Sequence, residues 1–151
     1  MTIEEALPEL DPIPACPEIA PSALFAALSA LPERQVLNRE TGAVHAAAFC
    51  AADGKILAVR EDVGRHNAFD KIVGHLARQH ADPSQGFALL TSRCSYELVQ
   101  KAVLARIPLL AAISAPTELA TAIAQKAKLT LVALARRDSL LVFNDPYRAL
   151  C

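Results

Sequence analysis

The stretch REDVGRHNAFDKIVG, residues 60–74, sets the organisation of the chain. It gathers Glu61, Asp62, Arg65, His66, Asn67, Asp70 and Lys71 into one short segment. The apolar run Ile56-Leu57-Ala58-Val59 leads into it. Phe69, Ile72, Val73 and Leu76 lead out of it at the i, i+3, i+4, i+7 spacing of a buried helix face. A polar cluster therefore sits where a strand ends and a helix begins. The first amides of a helix have no partner within it, and such a terminus favours an anion. Arg65 and His66 add charge or donors at the same place. The plainer alternative is a capped helix with a solvated first turn, Asp62 serving as N-cap and Asp70 with Lys71 as surface charges.

The chain on either side repeats this grammar. Before it, residues 43–50 form a run of small apolar residues interrupted by His45, and Ala52-Asp53-Gly54 is a turn signal ahead of a second strand over 55–59. The spacing predicts a β-hairpin, then a helix from Val63 to about Gln79. Residues 87–90 read as a short buried strand, and Thr91-Ser92-Arg93-Cys94-Ser95 as a second polar junction opening a helix from Tyr96 to about Ala105. Glu97 and Lys101 stand one turn apart there, as in an i,i+4 pair. Residues 108–113 are a further strand, and Ser114-Ala115-Pro116-Thr117 a third junction. Ser114 or Thr117 caps the helix that follows to about Lys126, with Pro116 at its first position. Strands are expected at 130–135 and 140–143, joined by Arg136-Arg137-Asp138-Ser139.

Strand and helix alternate, so the sheet is at least partly parallel and covered on both faces. Ligands of open α/β sheets bind outside the carboxyl ends of the strands. The three junctions are expected to converge there, offering hydroxyls, two arginines, a histidine and helix amino termini to a phosphate-rich ligand. No Walker or dinucleotide glycine fingerprint is present.

The 151 residues suit a single core, and 53% are hydrophobic with only 5% aromatic, so that core is built from Ala, Leu, Val and Ile. A net charge of −1 provides no basic field to draw nucleic acid or a membrane surface. No run approaches the roughly 18 apolar residues of a membrane span, and the acidic opening MTIEEALPEL has no basic n-region. Cys16, Cys50, Cys94 and Cys151 are scattered without a Cys-x-x-Cys pair, as in a reduced, cytoplasmic protein. Five of the ten prolines, Pro8, Pro12, Pro14, Pro17 and Pro21, fall in an amino-terminal arm. Ser22 can cap a helix through about Leu31, which Pro32 stops. Residues 1–35 thus read as arm and short helix, and 36–151 as the α/β domain.

ETGAVHAAAF (residues 40–49), EDVGRHNAFDKIVG (61–74), TSRCSYELVQKA (91–102) and ISAPTELATAIAQKAKLTLV (113–132) closely resemble the FdhD family of formate dehydrogenase accessory proteins. The resemblance implies a fold similar to that of cytidine deaminases, a mixed sheet with helices on both faces. It implies a cytoplasmic, homodimeric sulfur carrier. Such a carrier takes persulfide sulfur from a cysteine desulfurase and delivers it to bis-molybdopterin guanine dinucleotide for formate dehydrogenase, binding the guanine-nucleotide end of that cofactor, or GDP. His45, Glu61, Asp62, Arg65, His66, Ser92, Arg93 and Ser95 would line the pocket, together with the segment Leu134, Ala135, Arg136, Arg137, Asp138 and Ser139. Asp138 and Ser139 depart from the Gly and basic residue common in the family, and Gly42-Ala43 replaces the commoner Gly-Gly.

The family's Cys-x-x-Cys-Gly lies just upstream of the segment that MTIEEAL resembles. The expectation is a chain that keeps cofactor binding and lacks the transfer cysteines and the small amino-terminal domain, and so carries little sulfur transfer by itself. Cys16 sits among prolines without a partner, and Cys94 is either a buried small residue or a substitute thiol. Two other functions compete. A zinc-dependent nucleobase or nucleoside deaminase would use His66 and Cys94 as metal ligands, but needs a third. A non-catalytic scaffold for formate dehydrogenase assembly would need no pocket.

Overall fold

A hairpin starts the sheet. Strand β1 (His45–Ala51) turns through Asp53 and Gly54 into strand β2 (Ile56–Asp62), as the turn signal predicts. The Asp53 carboxylate accepts from the Lys55 amide at 2.9 Å, and Gly54 lies at φ +94°, where a residue without Cβ is needed. This is a computed structural model, which describes residue 7, residues 9–136 and residues 139–150.

Four more strands follow: β3 (Gly86–Leu90), β4 (Leu109–Ala112), β5 (Thr130–Arg136) and β6 (Ser139–Asn144). Their order across the sheet is β2-β1-β3-β4-β5-β6. β1 runs antiparallel to both its neighbours, β3 to β5 are parallel, and β6 returns antiparallel along β5. Because β1 reverses direction between them, β2 and β3 point the same way. The carboxyl ends of β2, β3, β4 and β5 therefore share one edge, and β1 and β6 begin there.

The helices are α1 (Pro21–Arg34), α2 (Val36–Thr41), α3 (Arg65–Arg78), α4 (Tyr96–Leu104) and α5 (Glu118–Ala127). Strand side chains alternate between faces, which splits the core in two. On one face Phe49, Leu90, Leu110 and Leu131 meet Phe69 and Ile72 of α3, Leu98 and Val99 of α4, and Ile123 of α5. On the other, Phe87, Leu89, Leu109 and Val132 are covered by Ile19 and by Leu24, Ala27 and Leu31 of α1. Each such Leu, Ile, Val or Phe side chain, fully withdrawn from water, contributes about 1.5–3 kcal/mol. The arm is thus an integral layer. Arg106 donates to the carbonyls of Asp11 and Pro12 at 2.9 Å each, Tyr147 donates to the Ile13 carbonyl, and the Ile13 and Ile19 amides bond to Ala127 and Ala149 at 2.8 Å. Among the described residues no helix is long and apolar enough to cross a membrane.

Several local expectations are corrected. Helix α1 begins one residue before Ser22, with Pro21 in its first turn and Ala20 as an N-cap that makes no side-chain bond. A proline there forfeits only an amide that is unpaired anyway. Pro32 lies inside α1, which runs on to Arg34. In the last turn its ring costs one intrahelical bond beside an end that frays in any case. Val63 lies outside α3, because β2 continues to Asp62 and the turn at Gly64 intervenes. Pro116 precedes the N-cap of α5 instead of following it, since Thr117 takes that role.

Candidate functional site

The junctions after β2, β3 and β4 lie on the shared edge and are tied to one another. The Ala46 amide of β1 donates to the Thr91 hydroxyl at 2.9 Å, which extends the sheet past the end of β3. The Ile113 amide donates to the Leu90 carbonyl at 3.1 Å, and the Thr117 amide to the Cys94 carbonyl at 3.2 Å, joining the second and third junctions. His66 Nε2 lies 3.5 Å from Glu97 Oε2, joining the first and second. At the outer side, His45 stands opposite Asp62 in the β1–β2 register.

The three helix starts are not equivalent. At α5 the Thr117 hydroxyl accepts from the Ala120 amide at 3.1 Å, so this terminus is satisfied by its own cap. At α3 the N-cap is Gly64, which has no side chain to offer, and at α4 the N-cap Ser95 makes no side-chain cap bond. Ser95 Oγ and Arg65 Nε are both buried and without a hydrogen-bond partner among the described residues. Buried polar atoms are nearly always paired, so two orphans at adjoining helix starts call for a partner.

Asp62 does not cap α3. Its carboxylate accepts from the Gly64 amide at 2.9 Å and sits 2.8 Å from Lys71 Nζ. The Lys71 ammonium first, and the Gly64 amide second, hold its pKa down at about 2. Lys71 also donates to the Glu61 carbonyl at 2.9 Å, so one ammonium fixes the end of β2 against α3. The Glu61 carboxylate is turned to α2, where its two oxygens accept from the Leu37 and Asn38 amides. Ser92 is 5% exposed and donates to the Arg93 carbonyl at 3.2 Å, while Arg93 is exposed. Arg65 and His66 are half-buried in the first turn of α3.

The carboxy-terminal candidate segment reaches the same edge at the β5–β6 turn. Leu134 is buried and pairs with Leu140, and Arg136 pairs in register with Ser139. Ala135 lies in the β5 backbone, and Arg137 and Asp138 lie outside the described residues.

Glu97 and Lys101 do not pair with each other. Each crosses to α3 instead, Glu97 to His66 and Lys101 to Asp70 at 2.6 Å. Nothing in linear spacing links residues 66 and 70 with 97 and 101, so this cross-helix pairing escaped the sequence. Cys94 is fully buried, and burial pushes its thiol up to about 12. Burial likewise raises Cys50 to about 12 and Cys16 to about 11. Among the described residues no three His, Cys, Asp or Glu side chains form a group able to hold a metal ion. A cleft of about 530 Å³, lined by Asp62, Asn67, Asp70, Lys71, Gly74 and Arg78, adjoins the edge along α3.

A family model described as the FdhD/NarQ family matches residues 1–150. A relative from Variovorax paradoxus, described as sulfur carrier protein FdhD, is 54% identical over 92% of this chain and 50% of its own length. A relative of the same description from Xanthomonas oryzae pv. oryzae is 56% identical over 87% of this chain and 47% of its own. The chain thus spans about half the length of the curated relatives it matches. A crystal structure from Desulfotalea psychrophila, described as a candidate formate dehydrogenase accessory protein, superimposes with a TM-score of 0.86 at 28% identity. It covers 97% of this chain and 60% of that one.

Proposed function

The chain belongs to the FdhD/NarQ family, and from that premise we propose that it is the ligand-holding part of a sulfur carrier for formate dehydrogenase maturation. In this reading the edge at α3 and α4 holds the guanine-nucleotide end of bis-molybdopterin guanine dinucleotide. The whole carrier is a cytoplasmic homodimer that receives persulfide sulfur from a cysteine desulfurase.

The observation that carries the reading is the pair of uncapped helix starts at Gly64 and Ser95, with Arg65 Nε and Ser95 Oγ buried beside them without partners among the described residues. Free amides, a guanidinium and a hydroxyl are the donors that phosphate oxygens take. Arg93, exposed on the same junction, supplies a second guanidinium in reach of solvent-borne anions. In this reading Leu134, Ala135, Arg136 and Ser139, at the end of β5 and the start of β6, add to the same edge.

Sulfur transfer makes a different demand, since the thiolate is the nucleophile. Cys16, Cys50 and Cys94 all hold their protons well above neutral pH, and Cys50 and Cys94 are fully buried. In this reading none of the three carries the sulfur, and the chain's own contribution is to bind and orient the acceptor.

Calorimetric titration with GDP tests the binding. Wild type should bind, and Arg93→Ala should bind about tenfold more weakly, as loss of one charge-assisted contact implies. Absence of heat from wild type, or equal affinities, would remove the reading.

A further inference from the structure

We propose that Asp70, Glu97 and Lys101 are positioning residues, a two-rung polar ladder that sets the spacing between the α3 and α4 helix starts; the inference rests on the anion-binding reading of that edge. The two helices follow parallel-running strands and so run side by side in the same direction. His66 and Asp70 are one turn apart on α3, and Glu97 and Lys101 one turn apart on α4. The rungs form in order, His66 to Glu97 at 3.5 Å nearest the edge and Asp70 to Lys101 at 2.6 Å one turn below.

Apolar packing does not fix this spacing by itself. α4 packs closely on α5, and α3 on β1 and β2. Further from the edge, Val73, Leu76 and Ala77 of α3 and Ala105 after α4 line a groove of about 420 Å³ in place of a closed seam. The reason lies in the sheet, where β1 is inserted between β2 and β3 and spreads the helices that follow them. Long side chains span the gap that results. Lys71, the neighbour of Asp70, ties α3 the other way, to Asp62 and the Glu61 carbonyl at the end of β2. Adjacent residues of one helix thus brace the first junction from both sides.

Exposed ion pairs contribute little to stability, so the ladder's effect is expected in binding geometry and not in melting. The test measures GDP affinity and melting temperature for Lys101→Gln, for the swapped pair Asp70→Lys with Lys101→Asp, and for Glu97→Gln. Lys101→Gln should weaken GDP about threefold while the melting temperature moves by about 2 °C or less. The swapped pair should regain most of the lost affinity. Glu97→Gln removes a negative charge from the edge, and Coulomb attraction alone would then tighten GDP. The ladder requires it to weaken. Unchanged affinity in Lys101→Gln, no recovery in the swapped pair, or tighter binding in Glu97→Gln overturns the ladder while leaving the guanine-nucleotide reading in place. No heat from wild type overturns that reading, and the ladder's role falls with it.

Discussion

Glu61 Oε2 accepts a hydrogen bond from the Asn38 backbone amide at 2.9 Å, across 23 residues of sequence. Its other oxygen takes the Leu37 amide at 3.0 Å. A carboxylate from the end of β2 therefore caps the amino terminus of α2, whose own N-cap, Gln35, makes no side-chain bond. Negative charge at that terminus is favoured by the helix dipole as well as by the two bonds. Glu61→Ala should cost about 1 kcal/mol of stability, as loss of a helix cap does, seen as a lower denaturant midpoint with unchanged slope. GDP affinity should fall less than in Arg93→Ala. A larger fall would place the Glu61 side chain on the ligand.

Asp62 and Lys71 give a pH signature. The Asp62 carboxyl is depressed from 3.8 to about 2, chiefly by the Lys71 ammonium. A depressed acid stabilises the fold above its unfolded value, and that contribution fades as pH falls from about 3.8 through about 2. Lys71→Met should move the carboxyl titration upward towards 3.8, as followed by carbon NMR of labelled aspartate. An unmoved midpoint would show that the ammonium is not what holds it down.

Gly54 is required twice over. It turns at φ +94°, and a Cβ there would fall on the Ala23 carbonyl of α1. Gly54→Ala should destabilise by about 1–3 kcal/mol and should loosen α1 from the hairpin. Faster hydrogen exchange in residues 23–31 is the expected readout.

The described thiols should be slow. Cys16, Cys50 and Cys94 are raised to about 11, 12 and 12 by burial, so alkylation by iodoacetamide at pH 7.5 should lag far behind that of an unhindered thiol. Mass spectrometry of the folded protein should find these three unmodified while the denatured chain is labelled throughout. Rapid labelling of Cys94 in the folded state would restore it as a sulfur acceptor.

Much of the architecture is legible in the sequence. Alternating strand and helix periods placed β1 to β6 and α3 to α5 within a residue or two of their observed bounds, because each period reports which side of an element is buried; the exception is β2, which runs three residues past the expected Val59 to Asp62. The polar junctions were legible too, since hydroxyl and charged residues interrupt those periods at the strand ends. Local helix ends were less so. Pro32 and Ser22 carry strong local preferences, yet the packing of Leu24, Ala27 and Leu31 onto the second sheet face outweighs one lost bond and one unused cap.

What only the tertiary structure decided is the employment of each charge. Sequence places Glu61, Asp62, Asp70 and Lys71 in one stretch, but it cannot say that Glu61 serves α2, that Lys71 turns back to Asp62, or that Asp70 reaches forward to Lys101. Side-chain pairing depends on separations in space that the strand order sets, and the insertion of β1 between β2 and β3 is a long-range choice. The residue pattern determined where polar groups would gather. The sheet determined which of them are spent on one another, leaving Arg65 Nε and Ser95 Oγ on the edge without partners among the described residues.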